Sequence, residues 1–344
     1  MVFSHLEQRQ FLEAAREGGR LSHAYVFCGP EKIGKKTLAL EWLGKILGVE
    51  LKPNLAHPDF LFVGPPVDPK TNLPADEIAV DQIRGLIAKI FLAPAICPYK
   101  AAIIGQAHLM NAEAQNCLLK TLEEPPGKAI LVLVAAGENR LLETIRSRAQ
   151  IVKFGFVGDH ELEKFGLDYA EKNNLKVTKE EIKDLISLSF GRPGRLADFL
   201  ADSELAQKWR AAESEFARVV TADLPQKFAY AKKIADPETA VLDLADIIEI
   251  WQLYFRHQLL NHLKETKTEP SGVQPLSDLQ GLNPRKLEEK FVFSVLKPEA
   301  RQKNIYSLEK TTEILKKIHA LSAILQTTNA SPRLAIENFL LDLQ

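Results

Sequence analysis

From Ala129 to Ala135 the chain reads Ala-Ile-Leu-Val-Leu-Val-Ala, a strand-length run with no polar residue, entered from the breaker Pro125-Pro126-Gly127. A strand without a polar face cannot meet water on either side, so it belongs inside a sheet covered on both faces. Ala24 to Cys28, Phe60 to Val63 and Ala101 to Ile104 are shorter runs of the same kind. Between them the apolar period changes to that of a helix. Leu38, Trp42 and Ile46 share one face of a helix predicted over Lys35 to Leu47, with Gly48 beyond its end. Asp81 to Phe91 is predicted as a second helix. Asn111 can cap a third, whose stripe is Ala114, Cys117, Leu118, Thr121 and Leu122. Strands alternating with helices of this length predict a parallel sheet with flanking helices, an α/β domain to about residue 155. Gly64 to Ala75, with Pro65, Pro66, Pro69 and Pro74, is predicted as a solvated loop.

After Phe156 the pattern is helical. Helices are predicted over Glu161 to Ala170 and Thr178 to Phe190, closed by a turn, Gly191-Arg192-Pro193-Gly194-Arg195. From Leu205 onward nearly every periodic segment has the helical period. Leu244, Ile247, Ile248, Trp251 and Phe255 make one stripe; Leu308, Leu315, Ile318 and Leu325 make another. Lys264 to Pro284 is predicted as a connecting loop. The expected division is an α/β module over 1–155, a small helical part over 156–204 and an all-α part over 205–344. Trp251, Tyr254 and Phe255 stand at helical spacing, which predicts core or helix interface rather than a stacking platform for bases.

At 344 residues the chain has room for two or three domains. Lys plus Arg total 44 against 45 Asp plus Glu, a net charge of -1, which excludes a stand-alone nucleic-acid coat. No stretch approaches the ~20 apolar residues of a membrane span, and Met1 to Gln10 has no leader pattern, so a cytoplasmic protein without a membrane partner is expected. Cys28, Cys97 and Cys117 are odd in number and far apart, giving neither a disulfide framework nor a zinc cluster. His57 is expected to order the turn before Phe60, and His108 has no ligand partner at metal spacing.

Gly29-Pro30-Glu31-Lys32-Ile33-Gly34-Lys35-Lys36 follows a predicted strand and opens a helix, the setting of a phosphate-binding loop. Gly29 and Gly34 would let backbone N–H groups curl around phosphate oxygens, and Lys35 would reach the terminal phosphates. The last position calls for a Ser or Thr hydroxyl to hold Mg²⁺, and it is Lys36. An ammonium ~4 Å from a divalent ion would cost about 8 kcal/mol at an effective dielectric of ~20. Thr37 is turned about 100° away along the helix. After the Ala101 to Ile104 strand, Gly105 offers no metal ligand, and Gln106 can orient a water but cannot accept its proton. The loop therefore lacks the means of hydrolysis in cis. A Mg²⁺-independent hold on ATP, or a loop kept for its backbone geometry, both remain open, and no cofactor is required.

Read together, Gly29 to Thr37, His57-Pro58-Asp59-Phe60, Val80-Asp81-Gln82-Ile83-Arg84, Asn116 to Pro126 and Thr144-Ile145-Arg146-Ser147-Arg148 resemble, in order and spacing, the AAA+ ATPase family of bacterial clamp loaders. Within that family they are most similar to the delta-prime branch. Leu118-Leu119-Lys120-Thr121-Leu122-Glu123-Glu124-Pro125-Pro126 is the most specific piece. The close likeness covers roughly residues 1 to 200, and Asn329 to Leu343 is similar to the family's C-terminal stretch. The resemblance implies an AAA+ α/β module, a helical lid and a helical collar in a pentameric ring. That ring would include ATP-hydrolysing motor subunits and a delta-like subunit, and would load the sliding clamp on primer-template DNA. It also implies that Arg148, in the Ser147-Arg148 pair, is an arginine finger offered to a neighbour's ATP, and that Arg195 belongs to the lid's sensor motif. Ala149 stands where the family often has Cys. Gly48 to Ala56 holds no cysteine, so the zinc module of many members is not implied. Ala135-Ala136 replaces a polar sensor residue. An ATP-hydrolysing motor subunit of the same machine is the alternative, opposed by the lost Mg²⁺ ligands. An unrelated nucleotide-binding module is a third reading, opposed by the Leu118 to Pro126 string.

Overall fold

The computed structural model describes residues 5–67, 75–236, 239–266, 305–327 and 331–343. The chain divides into two compact units. Unit 1 comprises Met1–Ile182 with Gly191–Ala197, and unit 2 comprises Lys183–Phe190 with Asp198–Gln344.

Unit 1 is built on five parallel strands: β1 (Ala24–Cys28), β2 (Phe60–Val63), β3 (Lys100–Ile104), β4 (Ala129–Ala135) and β5 (Gln150–Lys153), in the order β2-β3-β4-β1-β5. Tyr25 stands beside Val132 of β4 on one side and Gln150 of β5 on the other, so β1 is hydrogen-bonded along both edges. Alternate residues feed two cores. Val26, Ile104 and Leu133 face α3 (Val80–Ile90), α4 (Ala112–Glu123) and Ile145 of α5 (Glu143–Arg146). Phe27, Ile103 and Val132 face α1 (Leu6–Glu17) and α2 (Lys35–Leu47). Every residue of β1, β3 and β4 is buried, as their apolar runs require. Asn111 caps α4 as expected, its Oδ1 accepting the Ala114 N–H at 2.9 Å. Ala114, Leu118, Thr121 and Leu122 are buried with Gln115, while Cys117 is half-buried.

Three details depart from the reading of the sequence. Helix α1 and strand β5 were not foreseen: among α1's residues only Leu12 is buried, and in β5 only Val152, so neither carries an apolar signal. Gly191 to Arg195 is not a turn throughout. Helix α8 (Pro193–Ala201) starts at Pro193, where proline's fixed φ suits a first helical position and its missing N–H is not needed. It follows α6 (Asp159–Lys172) and α7 (Lys179–Ser189). The predicted Gly64 to Ala75 loop lies outside the described residues over 68–74.

Unit 2 is helical: α9 (Ser203–Val220), α10 (Leu224–Ala235), α11 (Leu244–Thr266), α12 (Leu308–Thr327) and α13 (Pro332–Leu341). Trp251 is its centre, stacked between Phe216 at 4.9 Å and Phe339 at 5.1 Å, with its Nε1–H donated to the Tyr230 hydroxyl at 3.2 Å. Trp251, Tyr254 and Phe255 are all buried, so the stripe is core. On α12 the buried face is Thr311, Ile314, Ile318 and Leu321; Leu308, Leu315 and Leu325 are only half-buried. Lys264 to Thr266 belong to α11, and the rest of the predicted 264–284 loop lies outside the described residues. Among the described residues no helix is long and apolar enough to cross a membrane.

A buried carboxylate organises the β2 side of the sheet. Asp59 accepts the backbone N–H groups of Ala95, Ile96 and Cys97 at 2.7, 2.7 and 2.8 Å. Burial alone would raise its pKa, but the three N–H groups and Lys100 outweigh that and hold it at about 2. A carboxyl depressed from 3.8 to about 2 adds stability above the unfolded value and loses it as pH falls through the folded one, some 2 kcal/mol in all. The stability gap between wild type and Asp59→Asn, measured by urea unfolding, should narrow by about that amount between pH 5 and pH 2. A gap independent of pH would show that the carboxylate's charge is not what holds the loop.

The turn out of β1 gives a second expectation. Gly29 (φ 148°) and Gly34 (φ 99°) both occupy backbone conformations that favour glycine. A Cβ on Gly29 would stand 2.3 Å from the Phe154 carbonyl oxygen, whereas one on Gly34 meets nothing within 4 Å. Gly34→Ala should cost about 1 kcal/mol of backbone strain. Gly29→Ala should cost at least about 3 kcal/mol, or prevent folding, because a β1–β5 contact must open. Equal unfolding midpoints for the two variants would refute this.

Candidate nucleotide-binding site and subunit edge

The carboxyl ends of β1, β3 and β4 lie side by side, and the strand order reverses at β1, where an open parallel sheet places its ligand crevice. The Gly29 to Gly34 loop leaves β1 there, and Gly34 ends it as the residue before α2. Lys35 is 6% exposed, with its Nζ donating at 2.5 Å to the carbonyls of both Gly29 and Pro30. Burial lowers its pKa to about 8, opposed by Glu31 and reinforced by the positive charge of Arg192. Lys36 and Thr37 are both exposed, so no side chain at the start of α2 turns a hydroxyl toward the loop.

At the end of β3, Gly105 is buried under Phe62, whose ring would meet a Cβ there at 2.9 Å. A carboxylate at this position would have to displace an aromatic ring, so the metal-ligand position is closed as well as empty of acid. Gln106 follows with φ 52° and is exposed. His108 reaches the end of β4: its Nδ1 accepts the Ala136 N–H at 3.2 Å, and its Nε2 stands 3.7 Å from Glu31 Oε1. Burial pushes the His108 pKa down. The imidazole therefore joins the phosphate loop to the place where the polar sensor residue is missing.

The α8 segment closes the other side of the loop. The Gly194 N–H donates to the Lys32 carbonyl at 2.7 Å, and a Cβ on Gly194 would stand 2.6 Å from that oxygen. Arg195 is buried beside it. The charge that reaches Lys35 from this segment is that of Arg192, which also lies over the Phe156 ring at 5.6 Å. The resemblance points to Arg195, whereas no motif in the sequence marks Arg192. The Gly-Arg-Pro-Gly-Arg spelling holds both, and only the onset of α8 at Pro193 separates their surroundings. Gly29, Gly34 and Lys35 lie together with the charge of Arg192 reaching them, an arrangement suited to phosphate oxygens, and the Lys36 and Gly105 positions offer neither hydroxyl nor carboxylate to a divalent ion.

His57, Asp59 and Cys97 each bring one possible ligand atom within 4.8 Å of the others. Each of these atoms also has a partner within the fold. His57 Nδ1 accepts the Asp59 N–H at 3.1 Å, so a neutral ring carries its proton on Nε2, the atom 3.9 Å from Cys97 Sγ. Burial and the Asp59 charge push the Cys97 thiol up. The Asp59 oxygens already serve three N–H groups.

Arg148 lies elsewhere, on the turn between α5 and β5. It is partly exposed, at 34%, with Nη1 donating to the Thr144 carbonyl at 3.0 Å and Nη2 paired with Glu123 Oε1 at 2.8 Å. Gln115 ties this connection to α4: its Oε1 accepts the Leu142 N–H at 2.9 Å and its Nε2 donates to Met110 O at 3.1 Å. The structure thus gathers Gly29, Gly34 and Lys35 at one site, sets Arg195 in the segment that closes it, and leaves Arg148 outside it.

The family model described as DNA polymerase III, delta subunit, matches residues 5–157. DNA polymerase III subunit delta' of Pseudomonas aeruginosa is 34% identical over 147 residues, 38% of this chain and 43% of that protein. DNA polymerase III subunit tau of Bacillus subtilis is 28% identical over 261 residues, 70% of this chain and 46% of that protein. A DNA polymerase III gamma subunit-related protein from Thermotoga maritima has a solved structure that aligns over 96% of this chain and 97% of its own, at 17% identity and a TM-score of 0.44. The chain spans less than half the length of the two curated relatives. The ordered motifs and the family match cover the same stretch, and over residues 5–157 the chain is similar to the DNA polymerase III delta-subunit family.

Proposed function

We propose that this chain is a delta-prime-like, non-catalytic subunit of a replicative clamp loader that supplies Arg148 to the ATP of a neighbouring motor subunit. The observation that carries this reading is a separation of functions within unit 1. The chain's own loop keeps Lys35 but has Lys36 exposed and Gly105 covered by Phe62, so neither of these two positions offers Mg²⁺ a ligand. Arg148 is partly exposed on a short connection outside that loop. A guanidinium is always charged and can fork onto two phosphate oxygens, stabilising charge on a transferring phosphoryl group. The partners on this reading are motor subunits and a delta-like subunit in a pentameric ring, with the sliding clamp and primer-template DNA, in the cytoplasm. Nucleotide on the chain's own loop is held weakly and without Mg²⁺, if at all, and no zinc is bound. The motor-subunit reading has one observation in its favour, the match to tau across 70% of this chain. Lys36 and Gly105 speak against it.

Two measurements test the proposal. The purified chain should show no ATP turnover above a Lys35→Ala control, and any ATP affinity should be unchanged by Mg²⁺. Turnover abolished by that substitution, in a variant whose unfolding midpoint shows it still folded, would favour the motor reading. In a complex assembled with cognate motor subunits, Arg148→Ala should leave assembly by size intact and lower clamp- and DNA-stimulated ATP hydrolysis by about 10³- to 10⁵-fold where phosphoryl transfer limits turnover, and by less where a conformational step does. Arg146→Ala should do much less. Equal rates for wild-type and Arg148→Ala complexes would sink the trans-finger role.

A further inference from the structure

Glu123 closes the Leu118 to Glu123 part of α4, the stretch that carries the most specific wording of the chain and has no chemical task in the proposal above. Its side chain is 51% exposed and ends on Arg148 Nη2 at 2.8 Å, while Nη1 of the same guanidinium is turned to Thr144 O at 3.0 Å and Ser147 Oγ at 3.4 Å. Both terminal nitrogens, the two that would fork onto phosphate oxygens, are therefore already directed at this chain's own acceptors. Glu123 is also electrostatically misplaced. It is the last residue of α4, where unpaired carbonyls make the helix end negative, and Glu124 follows as the capping residue. Lys120 lies in the same last turn, and Arg148 adds the cation that pairs directly with Glu123. Drawing the guanidinium away leaves two acidic residues against a negative helix terminus, which supplies a restoring pull toward the parked position.

We infer that Glu123 is a positioning residue that parks the Arg148 guanidinium on its own chain and sets how readily it is released to a neighbour's phosphates; this rests on the finger role proposed above. Both groups of the pair are partly exposed, so the park is weak. A triphosphate carrying several negative charges outcompetes one carboxylate, but each engagement must first break the Glu123 contact. Removing the carboxylate charge should therefore help the finger rather than harm it. A purely structural Glu123 would give the opposite sign.

The test compares ATP hydrolysis by complexes assembled with cognate motor subunits, clamp and primed DNA, each checked for assembly by size. Glu123→Gln should raise kcat/KM for ATP by about 1.5- to 5-fold at low salt, the range set by an exposed ion pair. The gain should shrink toward unity in 0.5 M salt, where the wild-type pair is itself screened. Glu123→Gln combined with Arg148→Ala should match Arg148→Ala alone, showing that the gain runs through the guanidinium. A Glu123→Gln complex no faster than wild type, with Arg148→Ala still slow, overturns the parking role and leaves the finger standing. A gain that survives Arg148→Ala also overturns it. An Arg148→Ala complex as fast as wild type removes the finger and the parking role together.

Discussion

Strand β1 is hydrogen-bonded on both edges and buried on both faces, and the rest of unit 1 follows from that confinement. A strand so enclosed can leave the sheet only at its carboxyl end, abruptly. That requirement produces Gly29, whose Cα lies too close to Phe154 O to tolerate a side chain, and Gly34, which sets the loop into α2. The loop's position at the sheet's reversal point brings the ends of β3 and β4 alongside, so Gly105, His108 and Ala136 are neighbours of the loop for topological reasons. The parallel sheet thus builds a crevice at the carboxyl ends of its strands whatever residues line it. Whether the crevice can do chemistry is decided separately, by a few side chains at the strand ends.

The parts legible in the sequence are those where burial dictates residue type. β4 and α2 fall on their expected residues because apolar runs and helical stripes report enclosure directly. α1 and β5 escaped because they are edge elements: each buries one residue, and the others are free to be polar. The α12 stripe was displaced for a related reason. Thr311 is buried with its hydroxyl donated to Ser307 O, so a polar residue occupies the core face where an apolar count expects Leu. At the site, the missing Mg²⁺ hydroxyl and carboxylate were readable because they are statements about residue identity at fixed offsets. The closure of Gly105 by Phe62 was not, since the two lie on different strands and meet only through the β2–β3 register. Arg192 and Glu123 were hidden in the same way, each mattering through a partner distant in sequence.

The electrostatics of the crevice suit a loop that keeps a phosphate cradle without a metal. Lys35 and Arg192 repel one another in a buried setting, and Glu31 offsets the repulsion only in part. A phosphate would relieve that repulsion, so the hollow retains an attraction for anions. The Lys36 and Gly105 positions, however, bring no hydroxyl or carboxylate for a metal that would polarise a terminal phosphate. Lys35 answers part of its own need by donating to Gly29 O and Pro30 O, which also fastens the first turn of α2 to the end of β1. The residue most suggestive of nucleotide chemistry is thereby part of the fold.

That entanglement decides which residues can separate function from stability. Replacing the buried Lys35 removes two hydrogen bonds to the half-buried Gly29 and Pro30 carbonyls, a cost of about 1–3 kcal/mol in all. A loss of activity after such a change would mix unfolding with chemistry. Arg148 is different. It is partly exposed, and its ion pair with Glu123 contributes no more than about 1 kcal/mol to the fold. A finger acting on a neighbour's phosphate would be worth roughly 4 to 7 kcal/mol in the transition state. The proposed task of Arg148 in a complex therefore exceeds its structural task in the monomer several-fold, and the same margin makes so weak a park compatible with catalysis. An arginine held this loosely by its own chain can turn to a neighbour at little cost to the subunit that carries it.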